Sequence, residues 1–217
     1  MLSTAPRPSS RRAGRPADRA KRAAILEAAT RSFFDHGFAA TSIEQVAADA
    51  GVSKVTVYNH FGDKRSLFAA SVDRECDKMR GHFSISQAGE GTIRERLRTI
   101  GEAMVAFLAR PEMIRFEHRI AAETESDPDL GRAFLEAGPW RMKTEFAAFL
   151  EHAAEAGELL IADPAIAAEQ FVSMCKGMGD LDRRFGARPD PQESLQRIER
   201  AVDVFLAAYS PEESASL

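Results

Sequence analysis

Cysteine is scarce: Cys76 and Cys175 are the only two in 217 residues. So few exclude a disulfide scaffold and a Cys-rich zinc site, and they fit a reducing compartment. No apolar run approaches the ~20 residues that a membrane-spanning helix needs. Five histidines (His36, His60, His82, His118 and His152) show none of the spacings of a metal-binding set. No glycine-rich phosphate loop follows a strand, and no nucleophile elbow occurs. Cys175 sits among apolar residues, where a thiol packs as an inert hydrophobe. These shortages argue against an enzyme. No catalytic residue, metal or cofactor is assigned.

Net positive charge is also lacking, since 29 Lys and Arg face 33 Asp and Glu, a balance of −4. Position reverses the impression. Residues 1–80 hold 14 basic and 9 acidic side chains, and residues 81–217 hold 15 and 24. Before Ala23 the basic residues are Arg7, Arg11, Arg12, Arg15, Arg19, Lys21 and Arg22, and Asp18 is the one acid. A basic segment ahead of an acidic body is the pattern of an arm that meets a polyanion, although a solvated tail has the same composition. Residues 1–16 have no apolar periodicity and are expected to be a disordered basic arm. Pro6, Pro8 and Pro16 interrupt any amphipathic presequence, and no apolar run follows Arg11-Arg12. The expectation is therefore a cytoplasmic protein without an export signal.

From residue 18 onward the pattern is helical. Ile25, Leu26, Ala29, Phe33 and Phe34 recur at helical spacing, so a first helix is expected from Asp18 to about Asp35, stopped at Gly37. Thr41 or Ser42 caps a short second helix with Ile43, Val46 and Ala47 inward. It ends at Ala50-Gly51. Ser53 caps a third, containing Val55, Val57 and Tyr58, and Asp63 caps a fourth with Leu67, Phe68 and Val72 inside. Two short helices joined through Ala50-Gly51-Val52 make a helix-turn-helix candidate. Gly51 supplies the positive φ of a tight turn. A plain helical corner is the competing reading. Lys54, Thr56, Asn59 and His60, all hydrogen-bond donors off the apolar stripe, argue against it.

The run Thr41-Ser42-Ile43-x-x-Val46-Ala47-x-x-Ala50-Gly51-Val52-Ser53-Lys54-x-Thr56-Val57-Tyr58-x-His60-Phe61-x-x-Lys64-x-x-Leu67-Phe68 resembles the DNA-binding domain of the TetR/AcrR family of transcriptional regulators. Ile25-Leu26-x-Ala28-Ala29 and Phe38 fit its first helix. The resemblance covers residues 18 to about 70 and departs at Val55, where many members carry a small residue such as Gly. It implies a dimer whose recognition helices enter successive major grooves of a near-palindromic double-stranded operator. Lys54, Thr56 and Asn59 are then the candidates for base edges, and Val55 for a thymine methyl or for packing. Ser53 begins the recognition helix with its exposed amides. Thr41, Ser42, Tyr58, His60 and Lys64 are the candidates for phosphates, with capping of the short helix as the other reading of His60. Arg11, Arg12 and Arg15 are candidates for the adjacent minor groove.

Residues 81–217 carry no strand signal. Thr92 with Glu95 makes a capping box. Asp127-Pro128, Asp163-Pro164 and Asp190-Pro191 each open a helix, and Pro139 predicts a kink near Gly138. The expected architecture is all-α with nine helices, four and then five. Residues 17–80 form a three-helix DNA-binding domain braced by a fourth helix, and residues 81–217 a helical dimerisation and ligand-binding domain. Ile120-Ala121-Ala122-Glu123, Ala137-Gly138-Pro139 and Ala168-Glu169-Gln170-Phe171 resemble the AefR-like type of C-terminal domain. The dimer surface expected on the last two helices is Phe171, Met174, Gly177, Met178, Phe185, Ile198, Val202 and Phe205, residues that would equally suit the protomer's own core. A pocket for a lipophilic or aromatic effector is expected from Met104, Phe107, Leu108, Phe116, Trp140 and Phe146, with His118 and Arg119 at a polar end. Core packing is again the competing reading. The expectation is a homodimeric repressor released from its operator by such a ligand, with activation or ligand-independent regulation by the same fold as the alternative.

Overall fold

A computed structural model describes residues 14–82 and 91–211, without the side chains of residues 14–16 and 78–82. Among the described residues all regular structure is helical. The elements are α1 (Gly14–Ala40), α2 (Ile43–Asp49), α3 (Lys54–Phe61), α4 (Lys64–His82), α5 (Ile93–Leu108), α6 (Pro111–Thr124), α7 (Pro128–Ala137), α8 (Pro139–Glu155), α9 (Pro164–Arg184) and α10 (Pro191–Tyr209). The expected nine become ten because the kink near Gly138 is a full break: its backbone, at φ −121° and ψ −94°, ends α7 and starts α8. Helix α1 begins at Gly14, ahead of the expected Asp18, and takes in Arg15 and Pro16. Proline is tolerated there because the first-turn N–H groups have no intrahelical acceptor. Arg11 and Arg12 lie outside the described residues, as does most of the expected arm.

The chain divides into two compact units between Ser71 and Val72. The expected boundary after residue 80 therefore falls later than this division, and α4 runs across it. The reason is local. Val72 packs so closely on Gly138 that a Cβ there would lie 3.1 Å from its Cγ1. Asp73 pairs with Arg141, and Glu75, buried, pairs with Arg110 at 3.4 Å.

In the first unit Phe33 meets Phe68 edge-on at 5.3 Å, and Phe38 meets the same ring at 5.4 Å. Ile25, Ile43, Val46, Val57, Phe61 and Leu67 are buried with them. Helices α2 and α3 are too short to persist alone, so this core is what holds them.

The second unit is built on local start signals. The Thr92–Glu95 capping box is complete in both directions, at 2.8 and 3.3 Å. Asp127, Asp163 and Asp190 cap α7, α9 and α10 as expected, each followed by proline. Leu97, Ile100, Met104, Phe146, Leu150, Phe171, Cys175, Ile198, Val202 and Phe205 form one core from α5, α8, α9 and α10. Gly101 lets these helices approach: a Cβ there would sit 2.9 Å from Ile198 Cγ2 and 3.2 Å from Cys175 Sγ. Burial pushes the Cys175 thiol up to about 12, in keeping with a packing role.

That core bears on two expectations, the dimer surface and the pocket. Phe171, Ile198, Val202 and Phe205 are buried inside the protomer and offer no surface to a partner. Met174 is half-buried, and Met178, Phe185 and Gly177 are exposed. Gly177, at φ 46°, bends α9, and Gly177 and Gly179 form a notch for Arg197 of α10, whose side-chain atoms would lie 2.6–2.7 Å from added Cβ atoms. The glycines thus admit an arginine rather than a close approach of two helices. The expected pocket set is likewise dispersed. Met104 and Phe146 belong to the core, and Phe107 and Leu108 pack on its edge. Phe116 faces Phe134 at 5.9 Å. Arg119 is half-buried, and His118 and Trp140 are exposed. The helical stripes that Met104, Phe107, Leu108 and Phe146 occupy help to fill or flank the core.

Candidate nucleic-acid interface

The turn between α2 and α3 is fixed by backbone chemistry. Ala50 ends α2, and Gly51 follows at φ 65°. The Val52 N–H donates to Ala47 at 3.0 Å and the Gly51 N–H to Ala48 at 3.1 Å. This is the paired six-to-one and five-to-two arrangement that stops a helix at a left-handed glycine. Ser53 then caps α3, its hydroxyl accepting from the Thr56 N–H at 3.2 Å. At the far end Gly62 donates to Tyr58 at 2.8 Å, and Asp63 accepts from the Ser66 N–H at 2.6 Å to start α4. Those bonds to Ser66 hold the Asp63 carboxyl below the usual carboxylate range.

Held at both ends, α3 buries Val57 and Phe61, one helical turn apart. The opposite side carries Lys54, Val55, Tyr58 and Asn59, all exposed. Their spacing of one, three and one places them in a single outward row. Val55 is 66% exposed, which answers the question left open at that position: it does not pack in the core. Ser42 and Ser53 are exposed beside the row.

Four of the residues expected on phosphates make bonds or contacts within the unit. Thr41 is buried, donating to the Gly37 carbonyl at 2.7 Å and accepting from Ser32 at 3.1 Å. Ser42 alone caps α2, through the Gln45 N–H at 3.3 Å. The choice between the two was invisible locally, because the core decides it. His60 lies 3.3 Å from Asp18 on α1, which favours a bracing role within the unit. Lys64 donates to the Ala39 carbonyl at 3.1 Å and covers the Phe38 ring at 4.7 Å, closing the end of α1. Thr56 is half-buried, its hydroxyl 2.8 Å from that of Ser53. Arg15 falls in the first turn of α1.

One residue that sequence reasoning passed over is Glu44, at the start of α2. Its carboxylate pairs with the Lys54 ammonium and also accepts from Ser42 Oγ at 3.0 Å. The bond from Lys54, with help from Ser42, lowers its pKa to about 2, and Glu44 in turn raises that of Lys54. Ten positions separate the pair, so no helical periodicity links them. Lys54 also lies 5.8 Å from the centre of the Tyr58 ring.

A glycine-closed turn, two capped short helices and an outward row of donors define a helix-turn-helix DNA-binding protein. Residues 25–71 match the bacterial regulatory proteins of the tetR family, and residues 95–211 match the C-terminal domain of AefR-like transcriptional repressors. The chain belongs to the TetR family of transcriptional regulators, with a C-terminal domain of the AefR-like type. The solved structure of the flavonoid-responsive regulator FrrA is 33% identical with a TM-score of 0.73, the match covering 88% of this chain and 98% of that one. The uncharacterised regulator YezE of Bacillus subtilis is 27% identical over 149 residues, 67% of this chain and 76% of YezE. The activator FasR of Mycolicibacterium smegmatis is 36% identical over 90 residues, 41% of this chain and only 40% of FasR's own length.

Proposed function

We propose that the protein is a homodimeric repressor that binds a near-palindromic operator and is released from it by a small aromatic or lipophilic ligand. The outward row of α3 carries this reading. Lys54 and Asn59 are its base readers, and Lys suits guanine acceptors as Asn suits adenine. Val55 and Tyr58 are positioned for a thymine methyl and for the sugar–phosphate backbone. The repressor sense is supported by the match of residues 95–211 to an AefR-like repressor domain. The ligand class is supported by FrrA, a flavonoid-responsive regulator, and by the aromatic character of the C-terminal core, where Phe146, Phe149, Phe171 and Phe205 pack ring against ring. Such a ligand acts by preferring a dimer whose recognition helices no longer fit the half-site spacing.

The dimer face in this reading is the exposed side of α9 and α10. Met178, Leu181 and Phe185 stand at 67%, 46% and 84% exposure, with Leu195 at 48% on α10. They replace the buried residues of the earlier expectation. A cytoplasmic location goes with the DNA-binding reading; no described helix is long and apolar enough to cross a membrane.

The experiment is selection of random duplex DNA by the full chain, followed by footprinting and a thermal-shift screen of flavonoids and related aromatics. A ligand that binds the folded dimer raises its Tm, and true effectors also release the selected duplex. Recovery of no preferred sequence would overturn the proposal. The partial match to FasR favours activation as the second reading. Transcription from a promoter bearing the selected site decides between them: repression lowers it when the protein is added, and activation raises it.

A further inference from the structure

We infer that Glu44 is a positioning residue for operator specificity: it holds the Lys54 ammonium as a base reader and withholds it from the DNA phosphates. The inference rests on the proposed DNA-binding role of α3.

Three observations support it. First, Lys54 is the opening residue of α3, where recognition helices meet base edges. Second, its ammonium is held by a carboxylate from another helix, and that carboxylate is itself held by Ser42, the cap of α2. A long flexible side chain is thereby fixed between two helix starts. Third, the pair is open to solvent, with 48% and 65% of the two side chains exposed. Among the described residues nothing covers the pair completely, so DNA can reach it.

The chemistry follows from donor counting. An ammonium has three N–H donors. Glu44 takes one and leaves two, which match the N7 and O6 acceptors of guanine. At a guanine, Lys54 therefore reads the base and keeps its carboxylate. At a phosphate, Lys54 would have to leave Glu44, which would then stand uncompensated beside a polyanion. The exchange of one anion for another gains little, and the abandoned carboxylate is repelled. Glu44 thus makes non-specific binding less favourable without opposing the specific contact. It also pre-orders the reader, reducing the entropy lost on binding.

The test uses the full chain and two duplexes of equal length, one selected by the wild-type protein and one scrambled. Glu44→Gln removes the charge from an exposed position, so folding is preserved, which its melting curve verifies. Freed Lys54 then neutralises a phosphate. The expected result is tighter binding to the scrambled duplex by about fivefold, with its log–log salt slope steeper by about one. Binding to the selected duplex should weaken by about fivefold, as for a partly lost base contact. In the Lys54→Gln background the same Glu44→Gln change should alter the salt slope of neither duplex, because the effect acts through Lys54. Glu44→Asp, which keeps the charge, should restore most of the specificity ratio. An unchanged salt slope and ratio in Glu44→Gln would overturn the inference. So would equal tightening on both duplexes, or an effect that persists without Lys54, since either marks a general charge effect. Failure of the wild-type protein to select any duplex would instead remove the DNA-binding reading and this inference with it.

Discussion

Substituting Phe185 tests whether the outward face of α9 joins two copies of the chain. Phe185, the residue that ends α9, is 84% exposed, and Met178 and Leu181 on that helix are exposed as well. Complete burial of a large apolar side chain contributes about 1.5–3 kcal/mol. Scaled by exposure and allowing for the methyl that remains, Phe185→Ala forfeits about 1.5 kcal/mol in each copy. A twofold interface contains the substitution twice, so the dimer loses about 3 kcal/mol, or roughly a hundredfold in Kd. Sedimentation equilibrium over a dilution series measures that constant directly. The matched control is Phe205→Ala. Phe205 is 1% exposed and fills the protomer's own core, so this change should cost about 3–5 kcal/mol of fold stability. The two substitutions therefore separate: one lowers association with little effect on the protomer, the other melts the protomer. A Phe185→Ala protein with the wild-type dimer constant would refute the assignment of this face.

Gly51 stands at φ 65° with nothing within 4 Å of an added Cβ, so Gly51→Ala isolates backbone strain and should cost about 1 kcal/mol in a denaturant titration. Replacing Gly101 with Val brings its side chain against Ile198 and Cys175, and overpacking of that kind should cost about 1–3 kcal/mol, read as a lower Tm. Asp63→Ala removes the cap of α4 and should cost about 1 kcal/mol at neutral pH. Because the Asp63 carboxyl is held below its usual range, the stabilisation is complete above the ordinary Asp pKa and fades as pH falls through the folded value. A stability profile of Asp63→Asn should lack that acid-side component. Cys175, fully buried with its thiol pushed up to about 12, should alkylate with iodoacetamide only when the chain is unfolded.

Local chemistry was legible in the sequence wherever a few adjacent residues settle an outcome. Gly51, Ser53, Asp63, the Thr92–Glu95 pair and the three Asp-Pro starts all behave as their residue types require. So does the outward row of α3, because Val57 and Phe61 leave one side free. What the sequence could not separate were two apolar faces on one helix. Phe171 and Phe185 both lie on apolar stripes of the α9 region, yet one is core and the other surface. Periodicity records that a residue is apolar on a given side, and which neighbour covers that side depends on helices far along the chain. The same holds for Thr41 against Ser42, either of which fits a cap until the core claims the first. The pairing of Glu44 with Lys54 joins two helices across a turn, and no local pattern encodes it.

The five helices α6 to α10 each begin with proline in the first turn. Three of these starts are also capped by aspartate, so their boundaries depend on residues that lie outside the interior. Punctuation and filling are thus written in different letters. Interior phenylalanines and methionines are free to change in size and shape while the helices still start where they did. A scaffold organised this way lets chemical selectivity drift without the architecture being redrawn, much as a building keeps its floor plan when its rooms are refurnished.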